Sequence, residues 1–169
     1  MYADIIKRRL SEYRATNEIE EENALKEILQ EVILAALFEI GFFGQAAFHG
    51  GTSLRIFHGL NRFSEDLDFA LLHKKADFDW EKIQGSLAKI LYSYGVDMKV
   101  KDQSTEHAVV QKAVVTTTTV GKILTLRRPN HENKTIKIKL EVDTNPPQNA
   151  TFTEQLLTFP FSTSVRCHD

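Results

Sequence analysis

Two aspartates one residue apart, Asp66 and Asp68, stand at the head of an apolar run that includes Leu67, Phe69 and Leu71. On a strand, side chains two apart share a face. Both carboxylates therefore project from one side, with the apolar residues on the other. Paired carboxylates suit a hard divalent cation such as Mg²⁺ (or Mn²⁺), which takes oxygen ligands and completes its shell with substrate phosphates. The plain alternative is a solvent-facing strand end, where aspartate is common.

Upstream lies Gly50-Gly51-Thr52, read as a glycine turn that opens into a short helix. Glycines let backbone N–H groups approach phosphate oxygens, and the positive helix end favours an anion there. The Thr52 hydroxyl is either a further donor or a helix cap. A simple strand–helix turn would use the same residues. Arg55 and Arg62 bracket a second turn at Gly59. Each could fork onto phosphate oxygens; for Arg55 the alternative is an exposed helix position with its stem packed down. Ser64, two before Asp66, is a phosphate contact, a phosphorylation point whose charge would repel metal binding, or an ordinary loop serine.

A second acidic pair, Glu141 and Asp143, closes the segment Ile136-Lys137-Ile138-Lys139-Leu140-Glu141-Val142-Asp143. Apolar and charged residues alternate, so Glu141 and Asp143 share a face with Lys137 and Lys139. An edge strand with a solvated, self-neutralising face would look the same. The histidines have no metal-ligand spacing, there is no Cys/His zinc pattern, and no Ser-His-Asp or Cys-His nucleophile arrangement. His49 and His58 read as turn and helix-surface residues.

These groups need elements to hold them. A long helix is expected over 18–40, because Leu25, Ile28, Leu29, Val32, Ile33, Ala36, Leu37 and Ile40 recur at helical spacing. Asn17 with Glu20 reads as its cap and Gly41 as its stop. A shorter helix covers 1–13. The chain then reads as a brief buried strand at 46–49, a short helix at 52–58 closed by Gly59, a strand at 67–72 and an amphipathic helix at 79–94. Strands follow at 97–101, 108–117, 121–127, 134–143 and 151–159, with loops at 103–107, 128–133 and 145–149. Phe42, Phe43, Phe48, Phe57, Phe63, Phe69, Phe78 and Trp80 read as core. Helices dominate the first half and strands the second, which predicts an α+β domain around a mixed sheet.

The chain's 169 residues suit one domain. Twenty-one Lys and Arg against 23 Asp and Glu give a net charge of −2, so bulk charge does not announce nucleic acid, although a local basic patch is compatible with it. A single cysteine, Cys167, excludes an intrachain disulfide and fits the cytoplasm. The N-terminus lacks the apolar core of a signal peptide, and no apolar stretch approaches the ~18 residues of a membrane span.

The order Gly-Gly-Thr, Leu54-Arg55, Gly59, Arg62, Ser64, Asp66, Asp68 resembles the first motif of the AbiEii/AbiGii-type toxins, bacterial nucleotidyltransferases of the polymerase-β-like superfamily. The segment KIKLEVDTNPP from Lys137 to Pro147 resembles a strand and turn of one branch, and the resemblance extends from about Glu20 to about His168. It implies a polymerase-β-like α+β domain that transfers a nucleoside monophosphate from an NTP to an acceptor hydroxyl. Asp66 and Asp68 would hold the metal, Glu141 would supply a third carboxylate with Asp143 second, and Gly50, Gly51, Thr52, Arg55, Arg62 and Ser64 would surround the triphosphate. The implied acceptor is RNA, above all tRNA 3′ ends, and the implied role a toxin with a cognate antitoxin in a toxin–antitoxin or phage-defence pair.

Relatives carry a helical C-terminal region with a further Lys motif and an Arg-Asp pair, whereas here only TSVRCHD follows Ser162. The resemblance therefore implies that residues 1–169 are a single domain without that region, able to bind Mg²⁺-NTP but poor in transfer. Two other readings stay open. One is an inactive remnant that binds a nucleotide or a partner, and the other is a nucleotidyltransferase acting on a small molecule.

Overall fold

The computed structural model describes residues 2–75, 77–117 and 134–169, with the side chains of residues 2 and 3 outside the description. The expected strand at 121–127 and loop at 128–133 lie outside the described residues.

Helix α1 (Tyr2–Glu12) leads to α2 (Glu18–Glu39). The α2 start is capped as the sequence predicts: the Asn17 Oδ1 accepts from the Glu20 N–H at 3.0 Å. The helix is more enclosed than an amphipathic reading allows. From Leu25 to Leu37 it is buried save Lys26, and the buried set includes the polar residues Glu27, Gln30 and Glu31. A short 3₁₀ turn, Phe42–Gly44, follows.

Strand β1 (Ala46–His49) runs directly into α3 (Gly50–His58). Then come β2 (Leu67–Leu71), α4 (Glu81–Ser93), β3 (Lys99–Asp102), β4 (Val110–Thr117), β5 (Ile136–Asp143), β6 (Phe152–Leu157) and β7 (Thr163–His168). The strands form one mixed sheet in the order β3-β4-β5-β2-β1-β7-β6. The pairs β2–β5 and β1–β7 are parallel, and the others are antiparallel. The α+β class with a mixed sheet is as the sequence predicts. Strand β7 is unexpected: the segment after Ser162, given no element from sequence, is a full strand between β1 and β6.

One face of the sheet carries the core. Leu67, Phe69 and Leu71 of β2 join Ile136, Ile138, Leu140 and Val142 of β5 there, with Phe48, Phe42 and Trp80. Phe42 stacks on Trp80 at 5.7 Å and meets Phe69 edge-on at 5.0 Å. Helices α2 and α4 lie against this face with Leu25, Ile28, Leu29, Leu87 and Leu91. Phe63 departs from the expected core: it is 38% exposed, and the Arg55 guanidinium lies 4.7 Å from its ring centroid. No described helix is long and apolar enough to cross a membrane.

Candidate active site

The opposite face of the sheet carries the acids, and the strand registers place them. His49 pairs with Asp68 across β1 and β2, Asp68 with Glu141 across β2 and β5, and Glu141 with Lys112 across β5 and β4. Paired residues in neighbouring strands share a face. One row across the sheet therefore reads His49, Asp68, Glu141, Lys112. Strand β5 is central, so its charged face is not that of an edge strand.

Asp68 lies against the glycine turn. A Cβ on Gly50 would fall 2.7 Å from Asp68 Oδ2, and Gly50 has φ +82°. Glycine is thus required twice there, by backbone conformation and by the approach of the carboxylate. A Cβ on Gly51 would fall 3.1 Å from Ser64 Oγ, which puts that hydroxyl beside the turn. His49 is the N-cap residue of α3, and Thr52 sits inside its first turn.

Thr52 is fully buried, and its hydroxyl donates to the Asp66 backbone carbonyl. It pins the acid-bearing strand to the turn. A second buried side chain does similar work. Gln30 of α2 donates through Nε2 to the Ser64 carbonyl at 2.9 Å, fixing the loop that delivers Asp66. Sequence reasoning missed Gln30, because an interior glutamine opposite a loop more than thirty residues away leaves no periodic signal.

The arginines differ. Arg55 is engaged by protein groups: Nε lies 2.7 Å from Glu27 Oε2, and Nη1 donates to the Leu60 carbonyl at 3.0 Å. It braces α2 against the loop after α3. Arg62 is exposed and has no ion pair among the described residues. Asp143, level with Ala70 of β2, accepts through Oδ1 from the Asn145 N–H at 2.8 Å and so closes the turn after β5. It also acts electrostatically on His49. His49, expected in a turn, ends β1 on the acidic face, with its ring 5.4 Å from that of His168 on β7.

Electrostatics tie the acids together. Burial, with Glu141 and Asp66 adding like charge, pushes the Asp68 carboxyl up to about 6. Burial also raises Asp66, against the pull of Lys139. Lys112 Nζ stands 3.7 Å from Glu141 Oε1. An all-oxygen set of carboxylates, one of them destabilised in its charged form by the others, fits a hard cation in donor type and in field. As they stand, however, no group of three His, Cys, Asp or Glu among the described residues is gathered closely enough to hold a metal ion. Asp66, Asp68 and Glu141 share one face without forming a ready-made shell.

A cavity of about 310 Å³ opens beside the turn, lined by His49, Gly50, Ser53, Leu54, His58, His168 and Asp169. A larger one of about 850 Å³, between Lys74–Asp79 and Asp102–Val109, touches none of the acids.

Residues 32–169 match the family described as "Nucleotidyl transferase AbiEii toxin, Type IV TA system". The match covers most of the chain, and the protein belongs to that family. No curated protein matches. Two solved structures from Helicobacter pylori are similar: one assigned as a nucleotidyltransferase and one called JHP933. Each is 19% identical with a TM-score of 0.46 and covers 84% of this chain. The alignments take in 53% and 52% of those chains, so this chain spans about half the length of the structures it matches.

Proposed function

We propose that this chain is a nucleotidyltransferase domain that transfers a nucleoside monophosphate from an NTP to an acceptor hydroxyl, with RNA, above all the tRNA 3′ end, as acceptor. The observation that carries the reading is the placement of Asp68 between the Gly50 turn and Glu141 on the parallel neighbour strand. Phosphate-binding backbone and cation-binding carboxylates thereby fall on one spot.

Asp66 and Asp68 would hold the cation, with Glu141 as the third carboxylate and Asp143 adding negative field behind it. A divalent cation such as Mg²⁺, when bound, supplies charge neutralisation for the triphosphate and acidity for the acceptor hydroxyl. The backbone N–H groups at Gly50 and Gly51, at the positive end of α3, receive triphosphate oxygens, and exposed Arg62 and the Ser64 hydroxyl reach the same anion. The acceptor oxygen attacks the α-phosphorus, and the bond to the β-bridging oxygen breaks. Pyrophosphate leaves with the electron pair, while Glu141 takes the hydroxyl proton. Thr52 and Arg55 act as positioning residues, through Asp66 and Glu27. The family description supports a toxin held in check by a cognate antitoxin, and the lone buried Cys167 fits action in the cytoplasm.

The test is transfer of label from each α-³²P-NTP to total tRNA, with Asp66→Ala as control. Label on tRNA that the control abolishes is expected. Mg²⁺-NTP binding without transfer to any acceptor would leave a nucleotide-binding domain instead.

A further inference from the structure

The acidic face continues into a basic one. Lys99 and Lys137 flank Thr116 across β3, β4 and β5, and Lys101 and Lys139 flank Val114 one step along. All four lysines are exposed, share the face of Asp68 and Glu141, and have no ion pair among the described residues. Strand spacing sets them at the corners of a rectangle of about 10 by 7 Å. Lys112, at the next level, leans on Glu141 and joins the two zones.

This separation argues against a self-neutralising surface. Solvated sheet faces pair opposite charges across strands, and like charges within a Debye length of about 10 Å repel. Here Lys99, Lys101 and Lys137 are grouped away from the acids, and opposite charges meet at the border, where Lys139 acts on Asp66 and Lys112 leans on Glu141. Because β2 runs parallel to β5 in the register Leu67 to Leu140, Asp66 stands level with Lys139, whose charge already acts on it. The basic field thus ends at the acids. An elongated anion laid across the lysines reaches the carboxylates with its end.

We propose that the open face of β3, β4 and β5 is the track for a single-stranded polynucleotide acceptor, with its phosphates over Lys99, Lys101, Lys137 and Lys139 and its hydroxyl end at Asp66 and Asp68. The purpose of the track rests on the transferase reading; the binding itself does not. Charge complementarity carries the choice of occupant: the net −2 chain concentrates unpaired cations in this area.

The test is fluorescence anisotropy of a labelled single-stranded oligoribonucleotide over a salt series. The protein is compared with a variant carrying Lys99→Gln, Lys101→Gln, Lys137→Gln and Lys139→Gln. With four phosphate contacts removed, affinity at about 0.1 M salt should fall at least tenfold and the log–log salt slope should flatten by about 3. Mg²⁺-NTP binding by the variant should persist. The double variants Lys99→Gln/Lys101→Gln and Lys137→Gln/Lys139→Gln should each give about half the change in slope. No RNA binding by the parent chain, or an unchanged affinity and slope in the quadruple variant, would overturn the proposal and leave the lysines to an acidic protein partner. Loss of RNA binding in the lysine variant, with Mg²⁺-NTP binding that ignores Asp66→Asn, would sustain the track while sinking the transferase reading.

Discussion

Thr52 and Asp66 are joined inside the protein, hydroxyl to carbonyl, so the glycine turn and the acid-bearing strand move as one piece. Removing the hydroxyl strands a part-buried carbonyl. Thr52→Val should cost about 1–3 kcal/mol in urea unfolding, whereas Thr52→Ser should keep most of the stability. An unchanged midpoint in the valine variant would mean that water replaces the bond and that Thr52 positions nothing.

The Gly50 and Gly51 positions make a graded pair. Gly50→Ala places a methyl against Asp68 Oδ2 at positive φ, and strain of about 1–2 kcal/mol or more is expected. Gly51→Ala meets only the Ser64 hydroxyl, which can rotate away. Thermal melts should therefore rank Gly50→Ala well below Gly51→Ala. The same rank should hold for Mg²⁺-NTP affinity by calorimetry, and a reversed order would contradict the geometry.

Crowded carboxylates predict opposite effects on stability and on activity. Without metal, Asp68→Asn should raise the melting temperature at pH 8, since it removes a half-buried charge facing Glu141 and Asp66. Transfer should fall by about 10²–10³ or more in the same variant and in Glu141→Gln. Added Mg²⁺ should stabilise the parent chain but not Asp68→Asn. Equal metal-induced shifts in both would remove Asp68 from the site.

A second acid gives a pH signature away from the site. Burial pushes the Glu31 carboxyl up to about 7, outweighing the pull of the Arg9 guanidinium 3.3 Å away. The folded pKa lies above the unfolded value near 4.3, so the folded state holds the proton more tightly. Stability from this group is present below pH 4.3 and is lost as pH rises through 7, a change of about 1–3 kcal/mol. In Glu31→Gln, urea midpoints should vary less between pH 5 and pH 8 than in the parent. A parallel pH dependence in both would place the titration elsewhere.

The sequence made the cap of α2, the strand before the glycine turn and the alternation of β5 legible because each is written within a few residues. Strand ends differ from expectation by one or two positions, as local patterns allow. Partnership was not legible. The alternation Lys137 to Asp143 tells which side chains share a face, but not that Asp68 is the neighbour of Glu141. Glu27, Gln30 and Glu31 fall outside the helical run of apolar residues in 18–40. Their buried roles depend on Tyr13, Arg55, Ser64 and Arg9, contributed by distant segments. Tyr13 Oη, for instance, donates to Glu27 Oε1 at 2.7 Å. Strand β7 carries a period-2 signal in Thr163, Val165 and Cys167, but six residues beside a chain end without a hydrophobic run gave it little weight.

The parallel pairing of β2 with β5 also has a consequence in time. Asp68 and Glu141 are 73 residues apart in the chain, and β1 gains its second neighbour only when β7 has been made. Contacts of such long range form slowly, because the intervening chain must first be closed. During synthesis Asp66, Asp68 and the glycine turn emerge early and wait for the strand that sets Glu141 beside Asp68. Until nearly its whole described length has left the ribosome, a newborn chain lacks the assembled row of His49, Asp68, Glu141 and Lys112.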